Sequence, residues 1–230
     1  MTACFLSLAF TVKHSLRYSG IASDLSSGEF YYTEEHEEWN DDNGLSQTTI
    51  TFKDKKGDVI VTKRIDYTKN SIQPDFMQED LRDGYEEGAE TKGQCIEMKC
   101  RKNFKKKLET KLVCVPSPAV VDAGFNNFVK AHLDELQKGK VVKFNFAVPS
   151  QLDYFSFRMY KSTEEIFKGK KAIVLRMEPE QFILRSLVPP AILTYTISSK
   201  RLMQYEGLST INDKKGKSYR VKISYPLIGP

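Results

Sequence analysis

From residue 10 onward, apolar and polar positions alternate with a period of two, and turn residues separate the runs. That is the pattern of antiparallel β-strands. Strands are predicted near 10–23, 29–39, 45–53 and 58–67. The breaks between them read SSG, NDDNG and DKKG, supplying Gly or Asn where a turn needs positive φ. Residues 68–92, with Pro74, Gly84 and Gly88, read as a long acidic connection with one short helical turn. A hairpin is predicted at 93–115, turning near 103–106.

The period then changes to that of a helix over 118–137. Ser117 is placed to cap it, Pro118 suits its first position, and Gly139 stops it. Phe125, Phe128, Val129, His132, Leu133 and Leu136 form its apolar stripe. Six more strands follow, at 140–148, 151–162, 170–178, 191–197, 201–211 and 217–225. A short helix at 179–187 begins at Pro179 and must end before Pro189 and Pro190.

About a dozen strands in up-and-down order would expose a wide apolar face unless the sheet curled or the helix covered it. The predicted fold is therefore mainly β with one long helix: a strongly curved antiparallel up-and-down sheet, a half-barrel or incomplete barrel, wrapped around helix 118–137. No linker divides the 230 residues, so 1–230 is read as a single domain. The absence of internal repeats argues against a propeller or solenoid.

The net charge of +5 is mildly basic, but the charge is blocky. Residues 24–42 and 75–90 are acidic and residues 92–111 basic. No run of about 18 apolar residues is present, which excludes a spanning helix. The start is ambiguous: residues 1–9 have the apolar character and small residues of a truncated signal peptide, without a basic segment before them. Cys4, Cys95, Cys100 and Cys114 match no zinc spacing. In the 93–115 hairpin Cys95 and Cys114 fall opposite each other, close enough for a disulfide. A disulfide would suit an oxidising compartment, and free buried thiols a cytoplasmic one.

Four segments, YSGIASDLSSGEFYYTEEH, VVDAGFNNFVKAHLDELQKGKVVKFNFAVPSQLDYFSFRMYK, MEPEQFILRSLVPPAILTY and RLMQYEGLSTINDKKGKSYRVKISY, resemble a group of uncharacterised bacterial proteins. The resemblance implies an exported or envelope protein with no assigned activity. At the level of fold the group is similar to the half-barrels that carry lipoproteins or lipids across the periplasm. The location implied is periplasmic or envelope-associated, or cytoplasmic if no signal lies upstream.

Residues 31–42, YYTEEHEEWNDD, hold the densest candidate chemistry. On a strand, Glu34, His36 and Glu38 share one face, a candidate metal triad, and Glu35 and Glu37 share the other. A two-residue turn at Ser26 and Ser27, or at Ser27 and Gly28, sets His36's face against Ser15, Arg17 and Ser19. A four-residue turn at 41–44 sets it beside Gln47, Thr49 and Thr51. That face is then a solvated outer surface, with pairs such as Glu38 and Arg17. Glu35 and Glu37 are left pointing toward Leu16, Tyr18, Ile50 and Phe52, where an unpaired carboxylate is costly.

If the helix fills the concavity, His132 meets Glu35 or Glu37 as a buried acid–base pair, the one catalytic set this sequence suggests. There is no nucleophile elbow, phosphate loop or dinucleotide fingerprint, and no cofactor is indicated. A noncatalytic module holding an apolar or lipid-like ligand is the leading expectation. Its cavity would be lined by Phe125, Phe128, His132, Phe155, Phe157 and Met159. A structural or partner-binding envelope protein without a small ligand is the alternative, and an enzyme comes third. The basic hairpin 99–111 offers Phe104 alone as an aromatic platform, too little for a nucleic-acid site; it reads first as a solvated loop and next as a contact for anionic lipid head groups.

Overall fold

The computed structural model describes residues 14–42, 44–213 and 215–226. The segment 1–9, read above as a possible signal remnant, lies outside them. Among the described residues fifteen strands form one sheet: β1 (His14–Asp24), β2 (Phe30–Asp41), β3 (Gly44–Lys53), β4 (Val59–Asp66), β5 (Asp75–Asp80), β6 (Glu86–Lys92), β7 (Cys95–Arg101), β8 (Glu109–Val113) and β9 (Ala119–Val121) precede the long helix α1 (Gly124–Gln137). After it come β10 (Val142–Val148), β11 (Asp153–Phe167), β12 (Lys170–Pro179), the short helix α2 (Phe182–Leu187), β13 (Ala191–Thr196), β14 (Leu202–Asn212) and β15 (Ser218–Ser224). The order across the sheet is 8-7-6-5-4-3-2-1-15-14-13-12-11-10-9. All neighbours are antiparallel except β9 and β10.

β8 and β9 are the two edges of this order and do not pair, so the sheet is not a closed barrel. Cross-strand register links Phe144 to Phe157, Met159 to Met177, Leu175 to Leu193 and Ile173 to Tyr195, which places these side chains on one face. On that face lies α1, whose Phe128, Val129, Leu133 and Leu136 are buried against them. The opposite face of the same β9–β10 ladder carries Ala119, Val121 and Ala147. These are buried too, in a second core with Phe52, Val61, Ile65, Ile96, Met98 and Val113. The rest of that second core comes from β3, β4, β7 and β8, so β9 and β10 lie beneath other strands of the same sheet. The sheet is thus rolled as a spiral, its β9 edge tucked under β4–β7. The Lys63–Asp122 ion pair and the Val121 N–H bond to the Ile72 carbonyl fasten the overlap.

Two expectations are corrected. Residues 68–92 are not a connection: they contain β5 and β6. Their inward positions include Gln78, Asp80 and Glu87, all buried, so the inward face looked as polar as the outward one. The helix begins six residues later than 118. Residues 119–121 are strand, Ala123 precedes the first helical residue, and no side chain caps it. Gly124 permits this tight entry, because a Cβ there would lie 2.0 Å from the Ile72 carbonyl oxygen.

Candidate functional site

The acidic stretch of β2 sits in the opposite sense to the one its turns suggest. Near its turn, β2 pairs Phe30 with Ser23, but a bulge between Ala22 and Ser23 shifts the ladder by one. Beyond it Gly20 faces Glu34, Tyr18 faces His36 and Leu16 faces Glu38. A second bulge between Trp39 and Asn40 does the same on the other side, setting His36 against Ile50 and Glu34 against Phe52. A one-residue slip exchanges the faces of a strand. Glu34, His36 and Glu38 therefore point inward, and Glu35 and Glu37 outward.

Inside, these residues form a network with tyrosines. His36 Nε2 lies 3.0 Å from Glu34 Oε1, and the Tyr225 hydroxyl donates to the same oxygen. The Tyr18 hydroxyl donates to Glu38 Oε1 at 2.7 Å, and its ring stacks on His36 with centroids 4.5 Å apart. The Arg201 guanidinium lies 5.6 Å from the centre of the Tyr18 ring. Burial alone would raise the Glu34 pKa, but the His36 bond and charge, with Tyr225 and Lys63, leave it lowered. Burial, reinforced by Glu34, pushes the Tyr225 phenol well up. This is a satisfied polar core joining β1, β2 and β15. The carboxylates of the suggested metal triad are engaged by Tyr225 and Tyr18 rather than turned toward a common ion. Among the described residues no group of three His, Cys, Asp or Glu side chains is arranged to hold a metal.

The suggested acid–base pair is not assembled. Glu35 binds Lys53 at 2.7 Å and Glu37 binds Arg17 at 2.8 Å, both on the outer surface. His132 lies on α1, its Nδ1 2.9 Å from the Phe128 carbonyl and its ring against Phe128. Nor does Glu38 pair with Arg17. The outward carboxylates meet cations across the strands, which removes the cost that an apolar setting would have imposed.

A second buried polar group was not legible in the sequence. Lys63, 2% exposed, binds Asp122 at 2.5 Å and lies 4.7 Å over the Phe76 ring. Glu87 accepts from the Tyr85 hydroxyl at 2.8 Å and from Gln78 at 3.4 Å. Its pKa is pushed up to about 7 by burial first and the Asp122 charge second, against Lys63 and the Tyr85 bond. Cys100 is a free thiol, raised by burial and hence unreactive.

The expected ligand-lining residues gather on one face, with different exposures. Phe128, on α1, and Met159, on the sheet, are fully buried between the two. Phe125, Phe155, Phe157 and His132 keep part of their surface in solvent. With Phe144 and Phe146, two of them form a ring-on-ring floor. Phe125 lies 5.9 Å from Phe146, Phe146 lies 6.2 Å from Phe157, and Phe144 lies 6.1 Å from Phe157. Phe155 pairs with Phe146 in the ladder and extends the same face. The deep part of the expected cavity is thus filled by packing, and the accessible part is an open aromatic surface. Phe146 escaped notice because no helical or strand count distinguished it from ordinary core.

Cys95 and Cys114 form a disulfide across the β7–β8 pair. The tip of this hairpin, at the end away from the disulfide, carries Lys102, Lys105, Lys106 and Lys107. Lys102 donates to the Ser150 carbonyl at 2.6 Å, tying this tip to the turn before β11.

No known protein family matches the chain, and no curated protein does. Among solved structures it is similar to one titled a beta-barrel-like protein of domain of unknown function DUF1849 from Brucella abortus. The TM-score is 0.53 at 10% identity, covering 95% of this chain and 99% of that one. At that identity the likeness is one of fold: a curled, barrel-like antiparallel sheet, here built from these fifteen strands.

Proposed function

We propose that this chain is a noncatalytic binding module of an envelope compartment such as the periplasm, taking an apolar or lipid-like ligand on the aromatic floor beside α1. The observation that carries the reading is that floor: Phe125, Phe146, Phe155 and Phe157 share one inner face and remain half-buried, while their neighbours Phe128, Phe144 and Met159 are sealed. Aromatic rings left partly wet in a row are a ready surface for apolar contact. The Cys95–Cys114 disulfide supports an oxidising location. An acid–base enzyme lacks its named pair, so that reading has little left to rest on.

The test is titration with a fluorescent fatty acid. Saturable binding is expected, weakened at least tenfold by Phe146→Ala together with Phe157→Ala. No saturable binding to the wild-type chain, or equal affinity in the variant, would overturn the proposal.

A further inference from the structure

α2 is a six-residue helix with no buried residue. Phe182, Ile183 and Leu187 are 79%, 75% and 73% exposed, so the helix projects an apolar tip rather than a groove. Behind it lies a cleft of about 320 Å³ lined by Arg176, Glu178, Phe182, Arg185, Ser186 and Val188. Three guanidinium groups converge there on one carboxylate. Arg158 Nε and Arg176 Nε lie 3.0 and 2.9 Å from the Glu178 oxygens. Arg185 reaches only 3.8 Å from Glu178 through Nη1 and 3.4 Å from the Glu180 carbonyl through Nη2. Its Nε is buried with no hydrogen-bond partner. Lys143 adds a fourth cation, on Glu180. The four cations face two carboxylates, so the cluster behind the apolar tip keeps a positive excess, with Arg176 and Arg185 nearest the tip.

We infer that α2 docks this protein on a lipid surface bearing anionic head groups, with Phe182, Ile183 and Leu187 entering the interface and Arg176 and Arg185 facing the head groups. An apolar tip collared by arginine fits this occupant, since apolar burial and attraction to anionic lipid add together. A protein partner ordinarily needs a footprint of about 800 Å² with a packed centre, which a protruding helix of this length does not offer. The contact is separate from the aromatic floor and stands if the floor binds nothing.

The experiment is flotation of the full chain with vesicles of phosphatidylcholine alone and of phosphatidylcholine with about one third phosphatidylglycerol. The wild type is expected to float with the anionic vesicles at least tenfold better than with the neutral ones. Phe182→Ser with Ile183→Ser and Leu187→Ser is expected to lose that binding at least tenfold. Arg185→Gln is expected to reduce it several-fold while leaving the apolar tip in place. The exposed serine variant should keep wild-type fatty-acid binding, which separates this contact from the floor. Absence of flotation, equal flotation with both vesicles, or flotation unchanged by the triple substitution would overturn the inference. So would a triple substitution that abolishes self-association in sedimentation while vesicle binding is absent, since the occupant would then be a second copy.

Discussion

Replacing Glu87 with Gln should stabilise the protein at neutral pH and leave it unchanged in acid. Glu87 is 8% exposed and hydrogen-bonded to Tyr85, and its pKa rises from 4.5 to about 7. The native state holds this proton more tightly than the unfolded chain, so stability is fully present below about pH 4.5 and is lost as pH rises toward 7. The 2.5-unit difference sets a ceiling of about 3 kcal/mol, at about 1.4 kcal/mol per unit. Glutamine keeps an acceptor for Tyr85 and cannot ionise. Its loss of attraction to Lys63 offsets part of the relief from Asp122, so a net gain of about 1 to 2 kcal/mol is expected at pH 8. Urea unfolding of both proteins from pH 4.5 to 8 measures the difference, in which groups shared by the two cancel. Glu34, whose pKa is lowered, acts in the opposite sense, losing its contribution as pH falls below its unfolded value, and so lies outside this window. A difference that stays flat with pH, or a Gln variant less stable at pH 8, would refute the reasoning.

Three further outcomes test the fold around the site. Glu34→Ala should cost about 2 to 4 kcal/mol by leaving Tyr225 and His36 without their acceptor, while Glu37→Ala should cost less than about 1 kcal/mol; chemical denaturation of the pair decides which face of β2 is inside. Cys114→Ser should cost roughly 3 kcal/mol for a loop of this length, and the wild type in reductant should fall by the same amount. Phe128→Ala should lower stability by about 3 to 5 kcal/mol, as expected of a ring buried between α1 and the sheet, which thermal or urea unfolding will show.

The curled sheet and its helix were legible because most strands bury one face and turn on Gly, Asn or Asp, so that alternation carries the signal. It failed where that premise failed. β5 and β6 turn Gln78, Asp80 and Glu87 inward, so their pattern reads as a polar loop. β9 is covered on both faces and is only three residues long, so it merged with the helix that follows. The site was misread for a different reason. Turn chemistry sets the register at the hairpin end, but bulges at Ala22/Ser23 and Trp39/Asn40 shift it within the strand. Nothing in the residues at those points announces an extra one. Alternation put Phe155, Phe157 and Met159 on one strand face, and helical spacing put Phe125 and Phe128 on one helix stripe. Neither could say that Phe128 and Met159 would be sealed while the others stayed accessible, because that depends on where α1 ends its descent across the sheet.

The central claim is that the aromatic floor holds an apolar ligand, and native mass spectrometry of the protein isolated from its own host tests it most directly. The claim predicts a population heavier than the polypeptide by the mass of a lipid-like molecule, lost in the Phe146→Ala, Phe157→Ala variant. Protein recovered at the polypeptide mass alone, or an adduct retained undiminished by that variant, would contradict it.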